Sequence, residues 1–239
     1  MAIAGTALAI DIGGTKLAVG LVETEGHVVW RTAARTPVVD DPEELWATLA
    51  ALVGRAPGQG PIVCGVGCGG PMEPGGDRVS PLNIASWRDF PLRSRLAELT
   101  GLPTFVDNDA KALALAEGWR GAARGCADYL AMVVSTGVGG GIVLDGRLLG
   151  GSNGNAGHVG HVIVVPDGRL CSCGAQGCLE AEASGTAIAA VTGRPAREAG
   201  PEIIARTGRL VGLAVASVAN LLDLRLAVVA GSVALGFGA

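Results

Sequence analysis

Aromatic side chains are scarce in this chain: three Phe, four Trp and one Tyr make up 3% of 239 residues. A core with so few rings has to be built from Ala, Val, Leu and Ile. Charge is also sparse, at 17% of residues with a net value of -4, and no basic run occurs. A nucleic-acid surface needs clustered cations, so that partner is not expected. No stretch reaches the roughly 18 continuous apolar residues of a membrane span. The opening "MAIAGTALAIDIGG" has no cationic n-region and runs directly into a strand pattern, so it does not read as a signal peptide. A reducing, cytoplasmic setting is the expectation. The phosphate-binding pattern G-x-x-x-x-G-K-S/T is absent too. Apolar residues, by contrast, reach 49% and glycines number 39. The first figure favours a large buried core over disorder. The second implies many tight turns or close backbone approaches.

The pattern along the chain reads as α/β. "ALAIDIG", "KLAVGLVE" and "HVVWRTA" form three strands separated by glycine turns. A helix follows in "DDPEELWATLAALVG", where Asp41 caps, Pro42 suits the first turn, and Glu43 and Glu44 face the positive end of the helix dipole. Leu45, Leu49, Leu52 and Val53 share its apolar face. A strand ("IVCGVG"), a short helix stopped by Gly101, a strand ("TFVDND") and a helix ("AKALALAEGWRG") come next. "DYLAMVVSTGVGGGIVLDGRLLGG" then restarts the meander, with Asp145-Gly146 as a hairpin turn. Helices are expected at 180–192 and 209–222, and "LAVVAG" as a closing strand. A meander with helices thus occurs twice. This predicts an internal duplication, with domains at 1–124 and 125–239.

Asp11 ends the first strand, and Gly13, Gly14, Thr15 and Lys16 occupy the turn behind it. Two glycines let backbone N–H groups approach phosphate, Thr15 adds a hydroxyl, and Asp11 suits Mg²⁺ beside the phosphates. The turn at 135–141, with Thr136 and Gly137, takes the same place in the second repeat. Either alone reads as an ordinary hairpin; the matched pair points to a polyphosphate held from two sides. "GVGCGG" at 65–70 spells G-x-G-x-x-G, but "PMEPGG" behind it cannot open a helix, which excludes a dinucleotide site. At the next strand-to-helix junction stand Asp107, Asn108 and Asp109. Helix capping accounts for one of them. Asp109 as a base that takes a proton from an alcohol, with Asn108 as a hydroxyl ligand, accounts for the others. Lys111 reads as a solvated helix residue.

The segment 157–185 gathers His161, Cys171, Cys173 and Cys178 as H-x9-C-x-C-G-x-x-G-C. Four N/S ligands suit tetrahedral Zn²⁺, and with no open position the metal is structural. Cys64, Cys68 and Cys126 are dispersed and read as small core or loop residues.

Taken in order, "DIGGTK", "DNDA", "STGVGGGIV", "GHVGH" and "CSCGAQGCLEAEASG" resemble the ROK family of repressors, open reading frames and sugar kinases, within the actin-like/hexokinase-like ATPase superfamily. The resemblance runs through essentially the whole chain. It implies an actin-like ATPase (ribonuclease H-like) fold of duplicated βββαβα domains about a cleft. It implies ATP with Mg²⁺ as donor, a hexose or hexose-like sugar phosphorylated on a primary hydroxyl, and a homodimer. It assigns the base to Asp109, sugar hydroxyls to Asn108, His161 and Glu180, and structural zinc to His161, Cys171, Cys173 and Cys178.

Two departures stand out. Family kinases usually carry Glu three residues before the zinc-ligand His; here that residue is His158. Imidazole accepts one hydrogen bond where a carboxylate accepts several. His158 therefore either alters the sugar preference or simply caps its loop. The chain also ends at "VVAGSVALGFGA", where family members continue, so a truncated second domain is expected. The adenosine is usually held near a Gly-Gly loop, which here reads Gly231-Ser232. These departures motivate an alternative, a non-catalytic or degenerate sugar-binding regulator. Polyphosphate in place of ATP also stays open as donor.

Overall fold

The computed structural model describes residues 5–57 and 60–236. The outermost residues behind the readings of the two termini lie outside that description. The chain divides into two compact units, Met1–Asp109 and Ala110–Ala239.

In the first unit, β1 (Thr6–Ile12), β2 (Lys16–Val22) and β3 (Val28–Arg35) form the expected antiparallel meander. After α1 (Pro42–Val53), β4 (Pro61–Cys68) joins β1 in parallel. After α2 (Leu92–Thr100), β5 (Thr104–Asn108) joins β4 in parallel, giving the order β3-β2-β1-β4-β5. The alternation of β1 and β2 buries Leu8, Ile10, Ile12, Leu17, Val19 and Leu21 against Leu45, Leu49 and Leu52 of α1. The Asp41 carboxylate accepts from Glu43 N–H, and Gly101 closes α2 in the left-handed conformation at φ 68°.

No helix follows "GVGCGG", as expected; the 69–91 segment is irregular and contains a cis Gly70-Pro71 bond. Its anchor is a cluster of the few aromatic residues. Trp87 is wholly buried, stacks on Phe90 with ring centroids 4.3 Å apart, and donates its indole N–H to Pro42 O at 3.3 Å. Trp46 lies against Phe90, and the Arg95 guanidinium sits 4.4 Å over the Trp46 ring while pairing with Glu43.

The second unit begins within α3 (Asp109–Arg120). Its sheet has the order β8-β7-β6-β9: β6 (Tyr129–Val134), β7 (Val138–Leu144) and β8 (Arg147–Leu148) antiparallel, and β9 (Leu226–Ala230) parallel to β6. The single helix expected at 180–192 is two. Ser184 sits extended between α4 (Leu179–Ala183) and α5 (Gly185–Thr192), and its hydroxyl accepts from Ala187 N–H at 3.0 Å. A serine that caps competes with helix continuation. The helix expected from 209 starts earlier: α6 runs Pro201–Leu222 and buries Thr207, Leu210, Ala214 and Val218. A short α7 (Ser232–Gly236) follows β9.

The glycines of β7 answer to packing. A Cβ at Gly139 would lie 2.8 Å from Ala110 Cβ, and one at Gly141 would lie 2.7 Å from Ala114 Cβ. A Cβ at Gly140 would lie 2.6 Å from Val159 Cγ1. Helix α3 therefore packs on one face of a bare strand and the 157–161 turn on the other. Tyr129 Oη donates to Ala114 O at 2.8 Å and fixes the height of α3. One expectation fails here. Lys111 is not solvated: it is 2% exposed, and its ammonium donates to Gly154 O at 2.6 Å. The Ala-rich helix has no polar face to which Lys111 would have been assigned, and α3 turns this position inward.

Trp87→Ala should cost about 3–5 kcal/mol, the usual range for emptying an aromatic site in a core. Denaturant unfolding followed in the first unit would read this loss.

Candidate functional site

In the first unit the glycine turn is tightly defined. Gly13 N–H donates to Lys16 O at 3.0 Å, Thr36 N–H to Thr15 O at 3.1 Å, and the Thr36 hydroxyl to Gly13 O at 2.6 Å. Among the described residues, the N–H groups of Gly14 and Thr15 have no backbone or side-chain acceptor. Donors of this kind on an exposed turn suit an anion. Gly14 has a second constraint: a Cβ would lie 2.8 Å from Asn83 O and 2.9 Å from Asn83 Cβ.

The strand ends behind this turn carry the acids. Ile12, Cys68 and Asn108 stand level at the carboxyl ends of the parallel strands β1, β4 and β5. That edge is where open α/β sheets bind ligands. Asp11 sits one residue before Ile12, and Asp109 directly follows Asn108. Burial raises the Asp11 pKa, the negative charge of Asp109 raises it further, and Lys16 partly opposes both. Cys68 is buried beneath these two acids. Burial, then the charges of Asp109 and Asp11, push its thiol up to about 12, so it is inert packing as the sequence implies. Of the three polar residues at the junction, Asp107 does local work: its Oδ1 accepts from Asn108 N–H at 2.7 Å. The Asn108 amide faces Gly70, whose Cβ position is 3.8 Å from Nδ2. Asn83 was not singled out by any motif, yet it packs on Gly14 and approaches Gly69, spanning the ends of β1 and β4.

In the second unit, the 135–137 turn is held from α4 and α5. Ser135 N–H donates to Gly137 O at 2.9 Å, Gly185 N–H to Ser135 O at 2.7 Å, and Thr186 N–H and hydroxyl to Thr136 O at 3.2 and 2.9 Å. Val138 N–H donates to Glu180 Oε2 at 2.9 Å, and that oxygen occupies the space a Cβ on Gly137 would need. One carboxylate oxygen of Glu180 thus ties α4 to the turn. Beside this turn lies a cavity of about 740 Å³, whose lining includes Thr136, Thr186, Ala189, Pro195, Ser232 and Val233. Its volume is that of a small-ligand site.

The four residues read as zinc ligands come together. One ligand atom each from His161, Cys171, Cys173 and Cys178 lies within 4.8 Å of the others. Cys171 Sγ is 3.6 Å from His161 Nδ1, and Cys173 Sγ is 3.7 Å from Cys178 Sγ. Sulfurs bonded to one tetrahedral Zn²⁺ at about 2.3 Å would lie roughly 3.8 Å apart, so the donor set fits that ion. It is Nδ1 of His161 that faces Cys171 Sγ. The loop is pinned by Val164 N–H to Gly177 O at 2.9 Å and Leu179 N–H to Val162 O at 2.9 Å.

His158 precedes the short 3-10 turn Val159–His161, and its side chain makes no capping hydrogen bond to that turn. Its ring meets that of His161 edge-on at 6.0 Å.

Glu182 was also missed. It is 3% exposed and accepts from Arg169 N–H at 2.6 Å and from Arg206 Nη2 at 2.5 Å, so it joins the 161–178 loop to α6. Burial alone would raise its pKa; the hydrogen bonds from Arg169 N–H and Arg206 outweigh burial and hold it below the usual glutamate range.

Comparison with known proteins gives a consistent answer. The ROK family model matches residues 7–236. An N-acetylmannosamine kinase of Escherichia fergusonii is 39% identical, over 98% of this chain and 85% of the relative. A ROK hexokinase from Thermus thermophilus superposes with a TM-score of 0.83 at 36% identity, covering 96% of this chain and 83% of that one. A ROK family glucokinase from Streptomyces griseus, solved with glucose and AMPPNP, gives 0.83 at 32% identity, covering 97% and 85%. The fold is thus that of the actin-like ATPases. No helix among the described residues is long and apolar enough to cross a membrane.

Because the Glu182 pKa is lowered on folding, its contribution is complete above the ordinary carboxyl range and is lost as pH falls through the lowered value. Glu182→Gln should cost about 2–3 kcal/mol at neutral pH, below the loss for a fully buried pair because both arginines are partly solvated. The gap from wild type should shrink in acid, which urea melts across pH would record.

Proposed function

The chain belongs to the ROK family, and from that premise we propose that it is an ATP-dependent kinase acting on a primary hydroxyl of a hexose or hexose-like sugar. The observation that carries this reading is the placement of two acidic residues, Asp11 and Asp109, at the carboxyl edge of β1, β4 and β5 beside the glycine turn. Phosphoryl transfer asks a protein mainly for position and for electrostatic balance. Asp109 accepts the hydroxyl proton as the oxygen attacks the γ-phosphorus in line, and ADP departs. Mg²⁺ entering with ATP would be held by Asp11, directly or through water, and would offset phosphate charge. Gly13, Gly14, Thr15 and Lys16 in the first unit, and Thr136 and Gly137 in the second, donate to phosphate oxygens.

The cavity lined by Ala189, Pro195 and Val233, with Ser232 and Thr186 at its polar side, suits the adenosine of the donor. Ser232 of the Gly231-Ser232 loop is among its lining residues. AMPPNP in the Streptomyces griseus relative supports ATP as the donor, and ATP supports a cytoplasmic reaction. Asn108, His158, His161 and Glu180 bind sugar hydroxyls. With Nδ1 turned to the metal, Nε2 of His161 is the nitrogen left for substrate, and Glu180 keeps Oε1 beyond its contact with Val138 N–H. Zn²⁺ on His161, Cys171, Cys173 and Cys178 would be structural, fixing the loop that aims these groups. The relatives named N-acetylmannosamine kinases make N-acetylated amino sugars candidates alongside glucose.

The test is ADP release from Mg²⁺-ATP over a panel of hexoses and N-acetylated amino sugars, with Asp109→Asn in parallel. The expected result is turnover of one sugar class, with kcat down about 10²–10⁴-fold in the variant, the usual share of a general base. Undiminished turnover in Asp109→Asn would remove the base from the mechanism. Sugar bound by wild type in calorimetry, with no ADP formed, would favour the regulator reading.

A further inference from the structure

We propose that Lys111 is a positioning residue for the acceptor sugar: its buried ammonium tethers the 150–157 loop and thereby sets the height of His158. The inference rests on the reading of His158 and His161 as sugar-binding residues.

Packing gives no reason for a lysine at this place. Residues 110, 112, 114 and 116 of α3 are alanines, and the helix meets β7 through Ala110 and Ala114 against Gly139 and Gly141. A small apolar residue would continue that interface without desolvating a charge. Lys111 is instead buried to 2% exposure, which is costly for an ammonium unless a polar contact compensates. Its contact with the loop is short, 2.6 Å to Gly154 O, and a charged donor makes it stronger than a neutral one would.

The loop at the other end needs such a hold. Between Leu149 and His158 it has no helix or strand, and Gly151, Ser152, Asn153 and Asn155 are exposed. Gly151, Gly154 and Gly157 take positive φ values of 74°, 76° and 89°, so the path depends on residues with little intrinsic preference. Its internal backbone bonds are few: Ala156 N–H to Gly150 O at 3.1 Å and Gly154 N–H to Gly151 O at 3.5 Å. The C-terminal end is seated by Gly157 against Gly140 and Gly141. The Lys111 contact fixes the middle, three residues before Gly157 and four before His158. Without it the loop is free to move while the metal ligands, anchored separately through residues 162–178, stay in place.

The experiment compares wild type, Lys111→Met and Lys111→Gln. Three quantities are measured: hydrogen–deuterium exchange across 150–158, zinc content, and the steady-state constants for the sugar found in the panel above. In Lys111→Met the account expects faster exchange confined to 150–158, unchanged zinc, a sugar KM raised about tenfold, and an ATP KM and kcat within about twofold of wild type. Lys111→Gln, which keeps an N–H donor on a shorter stem, should fall between the two and serves alone if the methionine variant does not fold. Unaltered exchange at 150–158, or an unaltered sugar KM, would overturn the proposal. So would lost zinc with exchange accelerated throughout the second unit, since Lys111 would then be an ordinary core residue. If wild type turns over no sugar, the kinase reading fails, and the exchange and calorimetric sugar binding still decide whether Lys111 positions the loop.

Discussion

Backbone meets backbone where the 157–161 turn lies on β7, and the seating of His161 depends on that contact. Gly140 gives Val159 its place, and Gly157 sits within 3.1 Å of Gly140 O and Gly141 Cα by the position of its missing Cβ. Gly160 presses directly on Val138 O, where no side-chain carbon could fit. One residue later comes His161, the nitrogen donor of a Cys₃His group that could hold a metal ion. The opposite face of the same strand receives α3, again through missing side chains at Gly139 and Gly141. Close-packed interiors transmit displacements of a single methyl group. A strand left bare on both faces can therefore register a helix and a metal loop against each other with little slack.

Two glutamates extend this registration. Glu180 joins the start of α4 to the N–H of Val138, just beyond the Thr136–Gly137 turn. Glu182, two residues further, joins the 161–178 loop at Arg169 to Arg206 of α6. Both lie within five residues of Cys178, so the cluster, the turn and the long helix are linked through one short helix. A structural ion at that point would act on substrate through the groups it orients, which is the usual way a closed metal site contributes to binding. The first unit works differently. Its acids stand at strand ends fixed by ladder register, and a cluster of Trp46, Trp87, Phe90 and Arg95 holds the irregular segment that brings Asn83 over the glycine turn.

Features with a local signature were legible in the sequence. The meanders, the Asp41 cap, the Gly101 stop and the four-ligand metal pattern each depend on residues near one another in the chain, and each was found where expected. Asp107, Asn108 and Asp109 were located as a group, but that Asp107 turns back on the Asn108 N–H is visible only in the folded chain. What escaped depends on contacts distant in sequence. The packing of the β7 glycines against α3 and the 157–161 turn has no local signature. Lys111 looks solvated because an alanine-rich helix has no pattern to say which side faces inward. Ser184 sits inside an apolar helical run, and its capping role is set by the turn it must make toward Ser135. Glu182 and Arg206 are 24 residues apart, beyond the reach of any local rule.

The most direct measurement of this account is zinc retention by Gly160→Ala against a competing chelator, with Gly212→Ala as the control, since a Cβ at Gly212 meets nothing within 4 Å. If the seating of the turn on β7 sets the position of His161, Gly160→Ala should lose zinc at least tenfold more readily than wild type while Gly212→Ala behaves as wild type. Equal retention in all three proteins would contradict the account, because the metal loop would then hold its geometry without the strand beneath it.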